Sequence, residues 1–531
     1  MAGHPHGVLP EGQRLVDGHG RNLRDGLGPL LGALTDELLV RTLALLEPRE
    51  LGALARVCRA LHVFAHADDL WKPHVLEAVG GAFAYEHSWR STYVCVVLRR
   101  PAPGAAAAAR SRHWASLGSA LYSDLLFAPW RCATQPPPDW WLRTPAGCTT
   151  IERVDGAVLT PERFATEYDV PGRPVVLAGL ASGWPAVRSW ACAQLLGRFG
   201  ERSFAVGEMQ MRLCDFVTYV QRSTDDPPLY LFDKNFGASA PELCAEYDQS
   251  PRPFPADLLA LLGTHRPDWR WLIIGGARSG STWHVDPNRT SAWNACVCGS
   301  KAWLLTPPHA PPPGVSASAD GATIACPVSV VEWMSGYLAQ ARRELGTNLH
   351  EAHVGAGDVL FVPRGWWHCV LNLEAGTVAV THNFASEANL AEVLAYADPA
   401  DTARGCAEDL VSGVPRAERA ALRGRLIRAL REHRPDALVR ATRPEAVAAA
   451  RLAIDAGLGR TRRSPAARPH TASLWAQLTR ADGCSRVGST SSASACGASV
   501  GAEPACARGV EAASRSAPGG EPTTTFQFHF M

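Results

Sequence analysis

The sequence lacks the long apolar segments that would place a chain in or across a membrane. No apolar run is long enough to span a bilayer, and the first 20 residues, "MAGHPHGVLPEGQRLVDGHG", hold no apolar core of signal-peptide length. We therefore expect a soluble protein without a membrane partner, nuclear or cytoplasmic, with the nucleus favoured. The basic stretch "TRRSPAAR" at 461–468 fits a nuclear address, and a solvated tail is the simpler alternative.

Paired cysteines and an excess of one charge are missing as well. No C-x-x-C pair occurs among the 15 cysteines, and their number is odd, so neither a disulfide framework nor a structural zinc site is expected. The net charge is only +1, which does not indicate nucleic acid as a partner. Hydrophobic residues reach 46%, enough for real cores, and the length predicts roughly two to four domains.

Composition and hydrophobic periodicity divide the chain into segments of different character. The predicted segments are a disordered stretch at 1–25, a helical domain at 26–78, a connecting region with an Ala-rich linker at 79–148, a strand-rich domain at 149–390, a helical extension at 391–460 and a disordered tail at 461–531. The predicted fold class is therefore mixed, with helices on both sides of a β-rich centre.

The helical segment 26–78 has leucines at helical spacing, with Thr35 placed to cap one helix and Pro48 to begin the next. Its order of residues resembles an F-box, and the resemblance runs through Leu34, Asp36, Leu38, Pro48, Leu51, Val57, Cys58 and Trp71. The resemblance implies docking to the adaptor subunit of a cullin ubiquitin ligase. The alternative is a helical bundle that packs only on its own neighbours.

A His-x-Asp triplet at His284-Val285-Asp286 is a candidate metal site within the strand-rich domain. About two H-x-[DE] triplets are expected by chance in a chain of this composition, and two occur. The other is His66-Ala67-Asp68, which lies in the helical region and is predicted to be structural. The triplet therefore carries little weight without its surroundings.

Two short strand-like runs follow the triplet, at Thr290–Val297 and Ser300–Thr306, with Cys298-Gly299 between them. If they form an antiparallel hairpin across this turn, Asn294 and Lys301 fall on one face. A lysine that points into an apolar barrel is costly unless an anion meets it. The pattern therefore indicates a site for a negatively charged ligand.

A second pair of strands is predicted at Trp366–Asn372 and Thr377–Phe384, joined by a four-residue loop. If these strands also form a hairpin, His368 lies opposite Thr381 on a face with more polar groups than a simple core should have. His284 and Asp286, two residues apart on an extended segment, also project to one side.

His284, Asp286 and His368 together match the ligand set of non-haem Fe(II) oxygenases, which is two histidines and one carboxylate on one face of the metal. The coordination positions left open suit a bidentate 2-oxo acid and O2. Lys301 would then neutralise the far carboxylate of that acid.

The long motifs "HVDPNRTSAWNACVCGSKAWLLTPP" and "DVLFVPRGWWHCVLNLEAGTVAVTHNFAS" resemble a Jumonji-C (JmjC) domain. The resemblance spans roughly Thr149 to Asn389. It is strongest to the branch of lysyl hydroxylases and arginine demethylases formerly called phosphatidylserine receptor, and to plant-type proteins that join an F-box to JmjC. It implies a central double-stranded β-helix of the cupin or jelly-roll type with flanking helices.

Several residues match functional positions of the JmjC family. The resemblance implies that the Fe(II) ligands and catalytic residues are His284, Asp286 and His368, that the contacts to 2-oxoglutarate are Asn294, Lys301 and Thr381, and that secondary contacts in the same pocket are Ser281 and Tyr230. The implied activity is hydroxylation of a protein side chain such as Lys or Arg, or N-demethylation through hydroxylation. The implied substrate is a protein, with histones and RNA-associated proteins as candidates.

Two other functions remain open at this stage. The chain could be an F-box substrate receptor whose barrel mainly binds a client, or a cupin-type metal protein with other chemistry, although Lys301 disfavours the second. Three residues depart from the family pattern, Arg289, Arg364 and His382, and they put the identity of the substrate in doubt.

Overall fold

The structure, a computed structural model, describes residues 3–17, 22–101, 121–134, 150–317, 324–327, 329–398 and 416–457. The body of the predicted Ala-rich linker and the predicted disordered tail lie outside the described residues. Across the described ranges, no helix is both long enough and apolar enough to cross a bilayer.

The N-terminal region is helical, as the leucine spacing predicts. Its helices are Glu11–Asp17, Gly28–Leu31, Asp36–Leu43, Pro48–Leu54, Arg59–Phe64, Asp68–Val79, Trp89–Thr92 and Asp124–Thr134, with a 3-10 turn at Leu23–Gly26 and a π-helical turn at Tyr93–Val97. The Thr35 hydroxyl accepts a hydrogen bond from the Leu38 amide at 3.3 Å, and Pro48 occupies the first position of its helix. Both predicted helix starts are confirmed.

The prediction that residues 1–25 are disordered does not hold for 3–17. Strand β1 (Val8–Leu9) pairs in parallel with β2 (Leu121–Tyr122), and the helix Glu11–Asp17 follows it. Asn22 strengthens this connection, because its side-chain amide donates to the Tyr122 carbonyl at 2.8 Å. The order of this segment comes from a partner more than a hundred residues away, which local composition does not reveal.

Two β-sheets form the centre of the molecule. The strands after β2 are β3 (Glu152–Asp155), β4 (Val175–Ala178), β5 (Ser203–Val206), β6 (Met209–Arg212), β7 (Leu231–Asp233), β8 (Arg270–Gly275), β9 (Gly280–His284), β10 (Ser291–Cys298), β11 (Ser300–Thr306), β12 (Ser316–Ala317), β13 (Ile324–Ala325), β14 (His350–Gly355), β15 (Val359–Val362), β16 (Trp367–Asn372) and β17 (Thr377–Phe384). The larger sheet has the order β3-β4-β15-β10-β17-β8-β7-β5-β6, and the smaller has β14-β11-β16-β9. One buried apolar cluster contains side chains from both sheets, so the sheets face each other as in a jelly roll.

Both predicted hairpins are wrong as strand pairings. β10 pairs with β15 and β17 in the larger sheet, whereas β11 pairs with β14 and β16 in the smaller one. β16 and β17 are likewise in different sheets. Each short loop carries the chain across to the facing sheet, because consecutive strands of a jelly roll need not be neighbours. The inward faces are nevertheless as predicted, since alternation is a property of each strand alone.

The helical N-terminal region shares a hydrophobic core with the outer face of the larger sheet. This core contains Leu39, Leu51 and Trp71 together with Phe216 and Tyr219. Each buried aromatic or leucine side chain contributes about 1.5–3 kcal/mol through removal from water. The two regions therefore form one packed body rather than two domains on a free linker.

A polar contact also joins these two regions. The Asp225 carboxylate accepts hydrogen bonds from the Trp89 indole at 2.6 Å and the Tyr219 hydroxyl at 2.8 Å. The Trp89 backbone amide in turn donates to Asp68 at 2.8 Å. Trp89 thereby fixes the end of the N-terminal helices against the barrel.

Further helices surround the barrel. They are Pro161–Phe164, Pro185–Ser189, Cys192–Phe199, Leu213–Arg222, Phe236–Ser239, Val330–Leu345, Leu390–Tyr396, Arg416–His433, Pro435–Ala441 and Pro444–Gly457, with a π-helical turn at Ala165–Asp169 and 3-10 turns at Pro241–Ala245, Leu258–His265, Pro287–Arg289 and Gly346–Asn348. The helices after residue 390 agree with the predicted helical extension. Those up to Ala441 bury apolar side chains with Ala385, directly after β17, and with the turn Leu258–His265, and the last helix packs on the helix Leu390–Tyr396.

Candidate metal centre and cosubstrate pocket

The candidate metal ligands come together at one end of the barrel. His284 ends β9 and is paired directly with His368 of β16, and Asp286 follows two residues after His284. His368 Nε2 lies 3.7 Å from Asp286 Oδ1, and one ligand atom from each of the three residues lies within 4.8 Å of the others. Strand pairing between β9 and β16 therefore assembles a triad from residues 84 positions apart.

Hydrogen bonds fix the two imidazoles in the form that can bind a metal. The Nδ1 atom of His284 lies 2.7 Å from the Thr282 carbonyl, and that of His368 lies 3.1 Å from the Trp366 carbonyl. Because a carbonyl can only accept, both Nδ1 atoms carry the proton and both Nε2 lone pairs are free for a metal. Burial lowers the pKa of each imidazole to about 4, so both rings are neutral at neutral pH.

Asp286 supplies the carboxylate. Burial raises its pKa to about 6, while His284 and a hydrogen bond from the Asn383 side chain lower the pKa and favour the charged form. Its Oδ2 atom is buried and has no hydrogen-bond partner among the described residues. Two neutral imidazoles and a carboxylate with an unpartnered oxygen fit a divalent iron ion, which would also favour the ionised carboxylate.

The pocket extends from the triad to a buried lysine. The Lys301 side chain is 1% exposed, its Nζ lies 3.3 Å from the Tyr230 hydroxyl, and no carboxylate of the described residues lies within ion-pair distance. Among the described residues, the buried Oδ1 of Asn294 has no hydrogen-bond partner. Asn294 on β10 lies directly opposite Thr381 on β17. This end of the pocket fits the far carboxylate of 2-oxoglutarate.

All eight predicted site residues line a single cavity of about 1050 Å³, counted with its open mouth. They are Tyr230, Ser281, His284, Asp286, Asn294, Lys301, His368 and Thr381. The structure brings the predicted residues together, and their roles as ligands and contacts remain predictions.

Sequence reasoning gave no role to three residues of this cavity. The Asn383 side chain helps to lower the pKa of the Asp286 carboxyl, and its Nδ2 donates a hydrogen bond to the Thr290 hydroxyl at 3.0 Å. Its position two residues after Thr381 on the same strand was an available signal.

Phe232 and Trp271 form an aromatic wall, with ring centroids 5.6 Å apart and nearly parallel planes. Strand alternation alone does not distinguish such a wall from ordinary packing.

The three departures from the JmjC pattern do not line the cavity. Arg364 donates to Glu392 at 2.7 Å and to the Asp169 carbonyl at 2.8 Å, on the outside of the barrel. His382 faces away from Thr381, stacks on Trp293 at 4.1 Å and lies 2.9 Å from the Tyr247 hydroxyl. Arg289 is buried beside a C-terminal helix. None of the three is therefore in a position to contact a substrate inside the cavity.

Comparison with known proteins agrees with this geometry. Residues 193–389 match the family described as Cupin-like domain, and residues 35–77 match the family described as F-box-like. The Arabidopsis thaliana protein named "Arginine-specific demethylase JMJ22" is 41% identical over 415 residues, which cover 77% of this chain and 78% of that protein.

Two further relatives match shorter parts. "Lysine-specific demethylase JMJ21" of Arabidopsis thaliana is 36% identical over 69% of this chain and 38% of its own length. "Bifunctional arginine demethylase and lysyl-hydroxylase psr-1" of Caenorhabditis elegans is 35% identical over 45% of this chain and 62% of its own length.

A jelly-roll barrel with this triad and a buried lysine defines a cupin-type oxygenase. The chain belongs to the JmjC family of iron- and 2-oxoglutarate-dependent oxygenases, and it carries an F-box-like region before the barrel. It is an enzyme whose cofactor is Fe(II) and whose cosubstrates are 2-oxoglutarate and O2.

Replacement of His284 by Ala should abolish metal binding, because it removes one of three ligands, and should leave the fold intact. Calorimetry with Mn(II) in place of Fe(II) measures binding, and circular dichroism checks the fold. The control is His309→Ala at an exposed histidine, which should bind Mn(II) as the wild type does. A His284→Ala protein with wild-type Mn(II) affinity would show that the ligand assignment is wrong.

Replacement of Lys301 by Met should weaken 2-oxoglutarate binding by at least about tenfold, because loss of one partner of a buried charge pair commonly costs several kcal/mol. Mn(II) affinity should change little, since Lys301 is not one of the three candidate ligands. Titration of 2-oxoglutarate into the Mn(II)-loaded protein measures the effect, with Lys234→Met at a surface ion pair as control. Equal losses of metal and 2-oxoglutarate affinity would contradict the separate roles.

Proposed function

We propose that the enzyme oxidises an N-methyl group on a cationic protein side chain, with methylarginine as the first candidate. The supporting observation is the chemistry of the cavity wall. Among the described residues that line it, Asp286 is the only carboxylate, and the metal would use it. Any cationic side chain would enter this cavity without a counter-charge, which is costly. Methylation keeps the charge but adds apolar surface that matches the wall, so a methylated cation is accommodated at lower cost than an unmethylated one.

The aromatic wall supports a cationic substrate of this kind. Tyr230, Phe232 and Trp271 form a series of near-parallel rings, with centroids 6.4 Å and 5.6 Å apart. The series begins beside Lys301 and ends at Trp271, which is paired with Thr381 of β17. Aromatic faces attract methylated and delocalised cations, and the attraction strengthens where water is excluded.

The overall reaction is balanced by the known cosubstrates. With iron bound, 2-oxoglutarate and O2 would give succinate and CO2, and the second oxygen atom would convert N–CH3 into N–CH2OH, which releases formaldehyde and leaves N–H. The side chains hold and orient the reactants: Lys301 and Tyr230 bind the far carboxylate, and the apolar wall excludes water. No side chain needs to act as a general base.

Hydroxylation of an unmethylated lysine is the second candidate, because one relative is named for both activities. The products distinguish demethylation from hydroxylation. Demethylation releases formaldehyde and removes a methyl group, whereas hydroxylation leaves a stable additional oxygen atom on the peptide.

The purified protein with Fe(II) and 2-oxoglutarate should form succinate and formaldehyde with a methylarginine peptide. The matched peptides with unmethylated arginine and unmethylated lysine should react at least about tenfold more slowly, because a cation without methyl groups is poorly accommodated. Mass spectrometry identifies the peptide products, and His368→Ala serves as the inactive control. Stable hydroxylation of the lysine peptide without formaldehyde would favour the second candidate instead.

The protein substrate is proposed to be a histone or an RNA-associated protein, because methylated arginines are frequent in both classes. A nuclear location follows from the same proposal. Mass spectrometry of proteins retained by the His368→Ala variant would identify the substrate directly.

The F-box-like region supports a second function, binding of the adaptor subunit of a cullin ubiquitin ligase. Leu38, Leu45 and Val57 expose apolar side chains on this region, as a docking surface requires. Leu51 is 0% exposed and belongs to the core shared with the barrel, so a charge there would disrupt folding rather than test docking. Both functions are compatible, because the cavity and this surface use different residues.

A purified adaptor subunit should bind the wild-type protein and should lose binding to Val57→Asp, since the charge would fall within the apolar surface. Val57 is 69% exposed, and the control Val158→Asp changes a valine that is 65% exposed on the barrel domain. Biolayer interferometry measures the affinity. Equal binding by both variants would exclude this surface as the docking site.

A further inference from the structure

The segment after Asp286 has an unusual backbone. It forms a tight turn, Pro287–Arg289, in which Asn288 and Arg289 both have φ of 56°, in the left-handed region that residues with side chains rarely adopt. Both side chains are buried. A conformation of this kind persists only where the surroundings hold it.

The Arg289 guanidinium reaches a helix that is distant in sequence. Its Nη2 donates to the Ile454 carbonyl at 3.3 Å, in the last turn of the helix Pro444–Gly457. Carbonyls of the last turn lack partners within the helix and carry the negative end of its dipole. No carboxylate of the described residues lies within ion-pair distance of Arg289. The helix end is therefore the favourable partner for this buried cation.

The same guanidinium also lies against the loop before His368. A Cβ on Gly365 would lie 3.1 Å from Arg289 Nη1, so the side chain passes directly over this glycine, three residues before the histidine. The Arg289 carbonyl accepts a hydrogen bond from the Asn389 side chain at 3.0 Å. Arg289 thus lies in the turn that follows Asp286 and against the loop that leads into the strand of His368.

The helix Pro444–Gly457 is held in place by its apolar face. Ala450 and Ile454 are buried against Ala395 and Tyr396 of the helix that follows β17. These contacts fix the Ile454 carbonyl over Arg289. The helix lies outside residues 193–389, which match the cupin-like family, so the family match gives it no role.

We propose that Arg289 is a positioning residue for the metal centre, and that through it the helix Pro444–Gly457 holds in place the turn after Asp286 and the loop before His368. The helix end fixes the guanidinium, the guanidinium fixes the turn after Asp286 and the backbone at Gly365, and these fix the spacing between Asp286 and His368. The proposal rests on the assignment of these residues as iron ligands.

Mn(II) binding to variants of the full-length protein tests whether Arg289 and the helix Pro444–Gly457 each support the metal centre. Arg289→Met removes the donor and the charge, and Ala450→Asp places a charge in the face that docks the helix. Each should weaken Mn(II) binding by about tenfold, the lower range for loss of an outer partner of a metal site. Ala449→Asp is the matched control, because Ala449 is the exposed neighbour on the same helix, and it should bind as the wild type does. Arg289→Lys, which keeps the charge, should lose less than Arg289→Met.

The outcomes are distinct. If the helix supports the metal centre only through Arg289, the two substitutions should not add. The double variant Arg289→Met/Ala450→Asp should then bind Mn(II) as tightly as the single variant with the lower Mn(II) affinity. Folded variants with Mn(II) affinity within about twofold of the wild type, even with a lowered melting temperature, would show a purely structural role and overturn the proposal. If Ala450→Asp does not fold, Arg289→Met alone decides. A wild type that binds no Mn(II) would reject the metal centre itself.

Discussion

The interior of the barrel depends on the burial of one positive charge, the ammonium of Lys301. An unpaired buried charge is among the costliest features of a fold, and a carboxylate about 4 Å away offsets it by about 4 kcal/mol at the effective dielectric of a protein site, against about 1 kcal/mol in water. The described residues supply the Tyr230 hydroxyl at 3.3 Å and no carboxylate. A dicarboxylate cosubstrate meets this need, and its other end is then directed toward the triad. The lysine thus fixes both the kind of ligand and its direction.

The sequence predicts the contents of the cavity better than the connections between its strands. Strand alternation places Asn294, Lys301, His368 and Thr381 inside, and this is correct although both proposed hairpins are wrong. The reason is geometric: two facing sheets turn their inner faces toward the same space, so an inward residue reaches the cavity whichever strand lies beside it. Which strand pairs with which depends on closure of the whole barrel. A short loop favours a hairpin locally and cannot show that the chain crosses to the facing sheet.

The local sequence pattern could not predict contacts between segments that are distant in the chain. β1 is ordered by β2, the F-box-like helices share a core with the larger sheet, and Trp89 joins them through Asp225. The same limit applies to Leu51, which fits an F-box pattern by spacing and is nevertheless buried. Amphipathic spacing identifies an apolar face, and it does not reveal whether a partner protein or the same chain covers that face.

The roles of the three residues that depart from the family pattern can be assigned only from their contacts in the structure. Arg364 and His382 make their hydrogen bonds outside the cavity, so they leave the substrate wall to aromatic and apolar residues. Arg289 differs, because it lies between the metal loops and a helix that follows the barrel in sequence. The ligands themselves are held by β9, β16 and the turn after Asp286, and only the turn lacks a strand to fix it. A support from outside the barrel is therefore most valuable at this turn, where a small shift would move the single carboxylate ligand away from the two histidines.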